Sequence, residues 1–167
     1  MRIRSKDGDS LLLGCCYLAP ETSRVYEDGG KTRVAREATA EAFFRRLQQA
    51  ISAMRQNGEE VLLVGDLDAR MPAGLSDIPD LDQLAALEQV EHITALGGAL
   101  TSMPSPEDYA GLPARASQDK HANCFGEFLA RMCRSQGFVL LNGRAPGDES
   151  GRITFPKGEE GGSVIDL

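Results

Sequence analysis

Read from the N-terminus, apolar residues first cluster without a break: Leu11-Leu12-Leu13-Gly14-Cys15-Cys16-Tyr17-Leu18, closed by Pro20. A run this short, ended by a proline, predicts a strand buried on both faces rather than a helix. The period then changes. Within residues 32–56, Phe44, Leu47, Ile51 and Met54 recur at helical spacing, and Arg33, Arg36, Arg45, Arg46 and Arg55 form a solvated side. Asn57-Gly58 supplies the stop, so this segment is an amphipathic helix. Val61-Leu62-Leu63-Val64 follows as a second fully apolar run and ends directly on Gly65-Asp66-Leu67-Asp68. Strand, helix, strand in this order predicts a crossover unit.

Regularity lapses over residues 71–116, where Pro72, Pro79, Pro104, Pro106 and Pro113 interrupt the pattern and only 81–90 is weakly helical. The stretch is too long for a simple connection and reads as an insertion or a functional loop region. Periodicity returns with Cys124, Phe125, Phe128, Leu129 and Met132 on one helical face, with Asp119 as an N-cap and Gly137 as the stop. Phe138-Val139-Leu140-Leu141 then predicts a strand leading into Asn142-Gly143-Arg144. A turn follows at Pro146-Gly147-Asp148, and residues 152–155 and 164–167 read as two final strands. Val164-Ile165-Asp166-Leu167 carries no polar tail, so the chain reads as cut inside a strand. No repeat or low-complexity tract is visible.

Composition narrows the class. The chain has 167 residues, 41% hydrophobic and 26% charged, which is ordinary usage for one globular domain and excludes collagen, coiled coils and disulfide scaffolds. A net charge of −7 argues against a nucleic-acid binder, but the acidity is localised. Residues 59–119 hold 2 basic against 12 acidic residues, a balance of −10, whereas residues 1–58 hold 10 against 7 and residues 120–167 hold 6 against 6. A polyanion can therefore still approach the rest of the chain. Cys15 and Cys16 are adjacent, Cys124 and Cys133 lie apart, and His92 and His121 flank neither pair, so zinc spacing is absent. Reduced thiols of an intracellular protein, nuclear or cytoplasmic, are the better reading. Arg2, Arg4 and Lys6 precede an apolar run as in an export signal, yet Asp7 and Asp9 interrupt it. A signal needs about 7–15 apolar residues before its cleavage site. Secretion is not expected, and no stretch is long enough to span a membrane.

Asp66 and Asp68 carry the chemistry. They stand two apart at the end of an apolar strand, where alternation points both side chains into the crevice at its carboxyl end. Hard oxygen donors there suit Mg²⁺ or Mn²⁺, which take one or two carboxylates together with substrate phosphate. The bland alternative is that both acids cap the following turn.

Several blocks resemble the endonuclease/exonuclease/phosphatase family, specifically the endonuclease-like domain that accompanies non-LTR retroelement reverse transcriptases. LLLGCCYLAP, residues 11–20, is similar to the strand presenting an active-site tyrosine, here Tyr17. VLLVGDLDAR, residues 61–70, resembles the G-D-[FL]-N-A-R block. RASQDKHANCFG, residues 115–126, and LLNGRAPGDESG, residues 140–151, match the middle of that domain in order and spacing. Ser163-Val164-Ile165-Asp166 resembles S-x-I-D. The resemblance implies a DNase I-like α/β fold, a two-layer β-sandwich flanked by helices in four layers. It implies a single partial domain over residues 1–167, truncated at both ends, with an irregular acidic insertion at about 71–116. It also implies Mg²⁺-dependent hydrolysis of a phosphodiester, with DNA the favoured substrate. On that reading Asp66 orients or deprotonates water, Tyr17 offers its hydroxyl to the phosphate or leaving group, and Asp166 orients a catalytic imidazole. Asp66 and Asp68 would hold metal, and Asn142 and Arg144 would contact the phosphate backbone. Each has a plain counterpart: Tyr17 a core aromatic, Asn142-Gly143 a turn, Arg144 a surface charge.

Two departures weigh against activity. Asp68 replaces the family's Asn, exchanging a donor for a carboxylate that repels phosphate, a loss commonly worth ~2.7–4 kcal/mol in the transition state. The family's Asn and Glu blocks before the tyrosine strand and its S-D-H block after S-x-I-D are missing, and neither histidine sits in such a context. Little or no nuclease activity is therefore expected. Two other readings are a non-catalytic retroelement-derived module and a haloacid-dehalogenase-type phosphatase with Asp66 as nucleophile and Asp68 as acid. The latter would draw its lysine and acidic pair from Lys120 and Asp148-Glu149.

Overall fold

The structure, a computed structural model, describes residues 1–4, 10–19, 33–55, 60–80, 106–156 and 162–163. Strand β1 (Arg2–Arg4) lies antiparallel to β2 (Ser10–Tyr17), and β2 lies parallel to β3 (Glu60–Asp66), giving a sheet in the order β1-β2-β3. Helix α1 (Arg33–Arg55) joins the parallel pair, so the crossover unit expected from the pattern is formed. Helix α2 (Cys124–Gln136) packs beside α1, and the two-residue strands β4 (Phe155–Pro156) and β5 (Gly162–Ser163) pair antiparallel. The result is a small mixed α/β arrangement.

The core lies between the helices and one face of the sheet. Ala40, Phe44 and Ile51 of α1 meet Phe125, Leu129, Ala130, Met132 and Cys133 of α2 over Leu18 and Leu67, with Cys16 and Leu63 packed against them. Burying each of the larger side chains contributes roughly 1.5–3 kcal/mol. The Phe44 and Phe128 rings stack at 6.1 Å, and Gln48 donates to Ser135 at 2.8 Å to fix the helix pair laterally. Met54, expected on the apolar side, is exposed. Arg55, expected on the solvated side, instead lies over the Phe138 ring and donates to the Gln136 carbonyl. The side chains of Arg33 and Arg36 lie outside the description.

Three strand expectations change. β2 is not buried on both faces: its positions are half-buried, with Cys15 and Tyr17 exposed. Alternation explains this, because Cys16 and Leu18 turn to the helices while Cys15 and Tyr17 take the other face. Residues 138–141 form no strand. The Leu140 amide donates to the Asp77 carboxylate at 2.8 Å, where a strand would place a neighbouring backbone carbonyl. Of residues 152–155 only Phe155 enters a ladder. The expected helix at 81–90 and strand at 164–167 lie outside the described residues.

The irregular stretch after β3 is held at its described ends by buried polar contacts. Arg115 donates to the carbonyls of Met71 at 3.0 Å and Pro72 at 2.7 Å, drawing residue 115 back onto the residues that follow the strand. Asp77, 1% exposed, accepts from Arg144 at 2.7 and 3.1 Å and lies 3.8 Å from Arg115 Nε. Desolvation by burial pulls the Arg115 guanidinium below its ordinary value, and Asp77 opposes that. Among the described residues no helix is long and apolar enough to cross a membrane.

Candidate functional site at the carboxyl end of the parallel strands

Tyr17 and Asp66 are register partners at the last step of the β2–β3 ladder. Neighbouring strands lie about 4.7–4.9 Å apart, and paired residues project to the same face of the sheet. Tyr17 is 67% exposed and Asp66 is half-buried, so a hydroxyl and a carboxylate share one accessible end of the sheet. The close approach that brings the strands together here requires Gly65. Its φ is 147°, and a Cβ would stand 1.8 Å from the Cys16 carbonyl oxygen.

The two acids do not continue the strand's alternation. β3 ends at Asp66, and Asp68 has φ 46°, a left-handed backbone that Asp and Asn adopt more readily than other side chains. The Asp68 N–H donates to Asp66 Oδ1 at 3.0 Å, closing a turn of the Asx kind. The capping alternative therefore describes one oxygen of Asp66. Among the described residues no hydrogen bond reaches Asp66 Oδ2. The Asp66 backbone carbonyl accepts from the Leu18 N–H at 2.9 Å, which fixes this end of β3 against β2.

Residues 68–70 are docked onto the start of α2. Asn123 caps that helix by accepting from the Gly126 N–H at 2.9 Å, and the same Oδ1 accepts from the Arg70 N–H at 2.9 Å. Its Nδ2 donates to the Asp68 carbonyl at 2.6 Å. Arg70 Nε and Nη2 donate to the buried Asp119 carboxylate at 3.2 and 3.0 Å. Asp119 is therefore not the helix cap expected from sequence: it pairs with Arg70 four residues ahead of the cap. The rule that the cap stands immediately before the first periodic apolar residue points to Asn123, next to Cys124. Asn123, Asp119, Asp77 and Arg115 were not among the expected site residues, and apart from the cap no local spacing marks them.

The remaining expected residues lie elsewhere. Arg144 is 6% exposed at its side chain, and its guanidinium holds Asp77, the Leu140 carbonyl at 2.9 Å and the Pro113 carbonyl at 2.8 Å. The guanidinium is thus buried among protein acceptors, and the plain reading of Arg144 as a surface charge does not hold. Asn142 occupies the turn that carries Gly143, and a Gly143 Cβ would meet the Ala116 carbonyl oxygen at 1.9 Å. Asp148 accepts from the Gly143 and Arg152 N–H groups, both at 2.9 Å, and these hydrogen bonds lower its pKa. Its carboxylate thus closes its own loop, and His121 and Lys120 are exposed ahead of α2. Asp166 lies outside the described residues.

Asp66 and Asp68 offer carboxylate oxygens on one turn, a donor set whose chemistry fits a Mg²⁺-type ion that keeps most of its waters. Among the described residues no three His, Cys, Asp or Glu side chains converge. Comparisons with protein-family models, curated proteins and solved structures return no match to this chain.

Proposed function

We infer that the chain is part of a metal-dependent phosphodiester hydrolase of the endonuclease-like kind, built on a DNase I-like sandwich and weakly active or inactive by itself. The observation that carries the reading is the in-register pairing of exposed Tyr17 with Asp66 at the carboxyl end of two parallel strands, the position where open α/β sheets bind ligands. Asp66 and Asp68 would hold Mg²⁺ or Mn²⁺, which supplies charge neutralisation at the phosphate. Within the chain, Asp66 Oδ2 is the group that can orient a water or take its proton, since Oδ1 is engaged by the Asp68 amide. Tyr17 can donate its hydroxyl proton toward a phosphate or leaving oxygen. The Asp68 carboxylate offers no donor to that phosphate, which is the reason for weak activity. DNA is the favoured substrate, through the blocks that resemble retroelement endonucleases.

Calorimetric titration with Mn²⁺ is the direct test. Binding that disappears in Asp66→Ala is the expected result, together with little or no nicking of supercoiled plasmid in Mg²⁺. Binding that is absent, or unchanged by Asp66→Ala, leaves the hydrolase reading without a site. Brisk nicking lost in Asp66→Ala would instead show that the chain is a competent nuclease.

A further inference from the structure

We propose that Asn123 is the positioning residue of the carboxylate turn, holding the Asp66 and Asp68 side chains in register for a divalent cation while also capping α2. The proposal rests on the hydrolase reading above and concerns how its cation site is built.

The geometry separates Asn123 from an ordinary helix cap. A cap needs one acceptor for a free helix amide, and Asn123 Oδ1 fills that role by accepting from the Gly126 N–H. Asn123 makes two additional bonds, both to the turn: Oδ1 accepts from the Arg70 N–H, and Nδ2 donates to the Asp68 carbonyl at 2.6 Å. The Asp68 residue is thereby gripped at both ends. Its N–H is held by the Asp66 carboxylate and its C=O by the Asn123 amide, while its φ stays at 46°. A left-handed residue of this kind persists only when its surroundings over-determine it. Releasing the carbonyl lets the residue relax, the amide bond to Asp66 Oδ1 weakens, and both carboxylates lose their fixed relation. The helix approaches closely enough to do this because position 126 has no side chain: a Cβ there would lie 2.0 Å from the Arg70 carbonyl oxygen.

Asn123→Ser isolates the effect. Serine remains a good helix cap and is uncharged, but it is too short to bridge to the Asp68 carbonyl. Two measurements on the full chain read the result: residue-resolved amide exchange by NMR without metal, and calorimetric titration with Mn²⁺. The expected outcome is a Asp68 amide that exchanges about tenfold faster, helix amides with unchanged protection, and Mn²⁺ affinity lower by about 10–100-fold. Asn123→Ala, which removes the cap as well, should also speed exchange at Gly126. Unchanged Asp68 exchange in the serine variant overturns the proposal, whatever the metal does. Faster exchange with Mn²⁺ affinity equal to wild type overturns the link to the cation. A flat titration of the wild-type chain is a different failure: it removes the hydrolase reading, and the cation role with it, without any comparison of variants.

Discussion

Asp77→Ala should be among the most damaging single substitutions in the described structure. The carboxylate is 1% exposed and accepts from both Arg144 terminal nitrogens and from the Leu140 amide, with Arg115 Nε at 3.8 Å. Truncation deprives two guanidinium groups, 6% and 4% exposed at their side chains, of their nearest counter-charge. Breaking a buried pair from one side costs about 3–5 kcal/mol. The orphaned Leu140 amide adds about 1–3 kcal/mol if it stays dry. The two do not sum, because water entering the vacated space serves both, so the expected loss is about 3–5 kcal/mol. For a chain of this size that lowers the thermal midpoint by about 6–20 °C. Urea unfolding followed by far-UV circular dichroism measures it. Asp77→Asn keeps an acceptor for the Leu140 amide and should lose less. Combining Asp77→Ala with Arg144→Met should cost less than the two separately, by about 0.5–3 kcal/mol, since the second change removes one stranded charge. A loss under about 1 kcal/mol for Asp77→Ala, or strict additivity in the pair, would refute the account of this cluster as a coupled unit.

Three further outcomes follow from burial and close approach. Burial pushes the Cys133 thiol up to about 12, so the folded state keeps a proton that the unfolded chain loses near its ordinary value of 9.0. Stability is then full below that ordinary value and falls as pH rises toward 12, by up to about 1.4 kcal/mol per pH unit, with the slope removed in Cys133→Ala. A thiol-reactive dye should label exposed Cys15 promptly and buried Cys133 only after urea is added, which mass mapping of the labelled peptides resolves. Gly126→Ala should destabilise by several kcal/mol on chemical denaturation, because its Cβ meets backbone rather than a yielding side chain, and a near-neutral result would mean that α2 can shift away from residue 70.

Periodicity made the elements around the core legible. The unbroken run at 11–18, the helical spacing of Phe44, Leu47 and Ile51, and the apolar run at 61–64 each became the element they predict, because burial against a single core selects for a fixed period. The same reasoning misplaces residues 138–141. Their apolar character is that of a strand, but the partner of the Leu140 amide is a carboxylate from residue 77, and nothing near either position in the chain announces the other. The site divides along the same line. Asp66 at the end of its strand, and Tyr17 beside it, follow from strand pairing. The hold on Asp68 comes from Asn123, 55 residues away, and Arg144 lies in the interior because Asp77 meets it there. Local pattern encodes which face is dry. It does not encode which distant polar groups satisfy one another.

The exchange of Asn for Asp at position 68 can be separated from the turn that holds it. Two of the bonds that hold the residue are made by its backbone, its N–H to Asp66 Oδ1 and its C=O from Asn123, and these two do not need the side chain. The left-handed φ of 46° suits Asn as well as Asp. The amide is nearly isosteric with the carboxylate and keeps an acceptor oxygen, so Asp68→Asn should fold with stability within about 1 kcal/mol of wild type, checked by urea denaturation. What changes is the chemistry offered to the crevice: one carboxylate fewer for a cation, one donor more for a phosphate. If Asp68 shares the cation with Asp66, the Mn²⁺ affinity of Asp68→Asn falls while its fold is intact. An unchanged affinity would remove Asp68 from the ligand set and leave its carboxylate as a pure obstacle to phosphate, in which case plasmid nicking should rise in the same variant. A variant that instead unfolds would show that the Asp68 carboxylate supports the turn itself, contrary to the backbone bonding seen here.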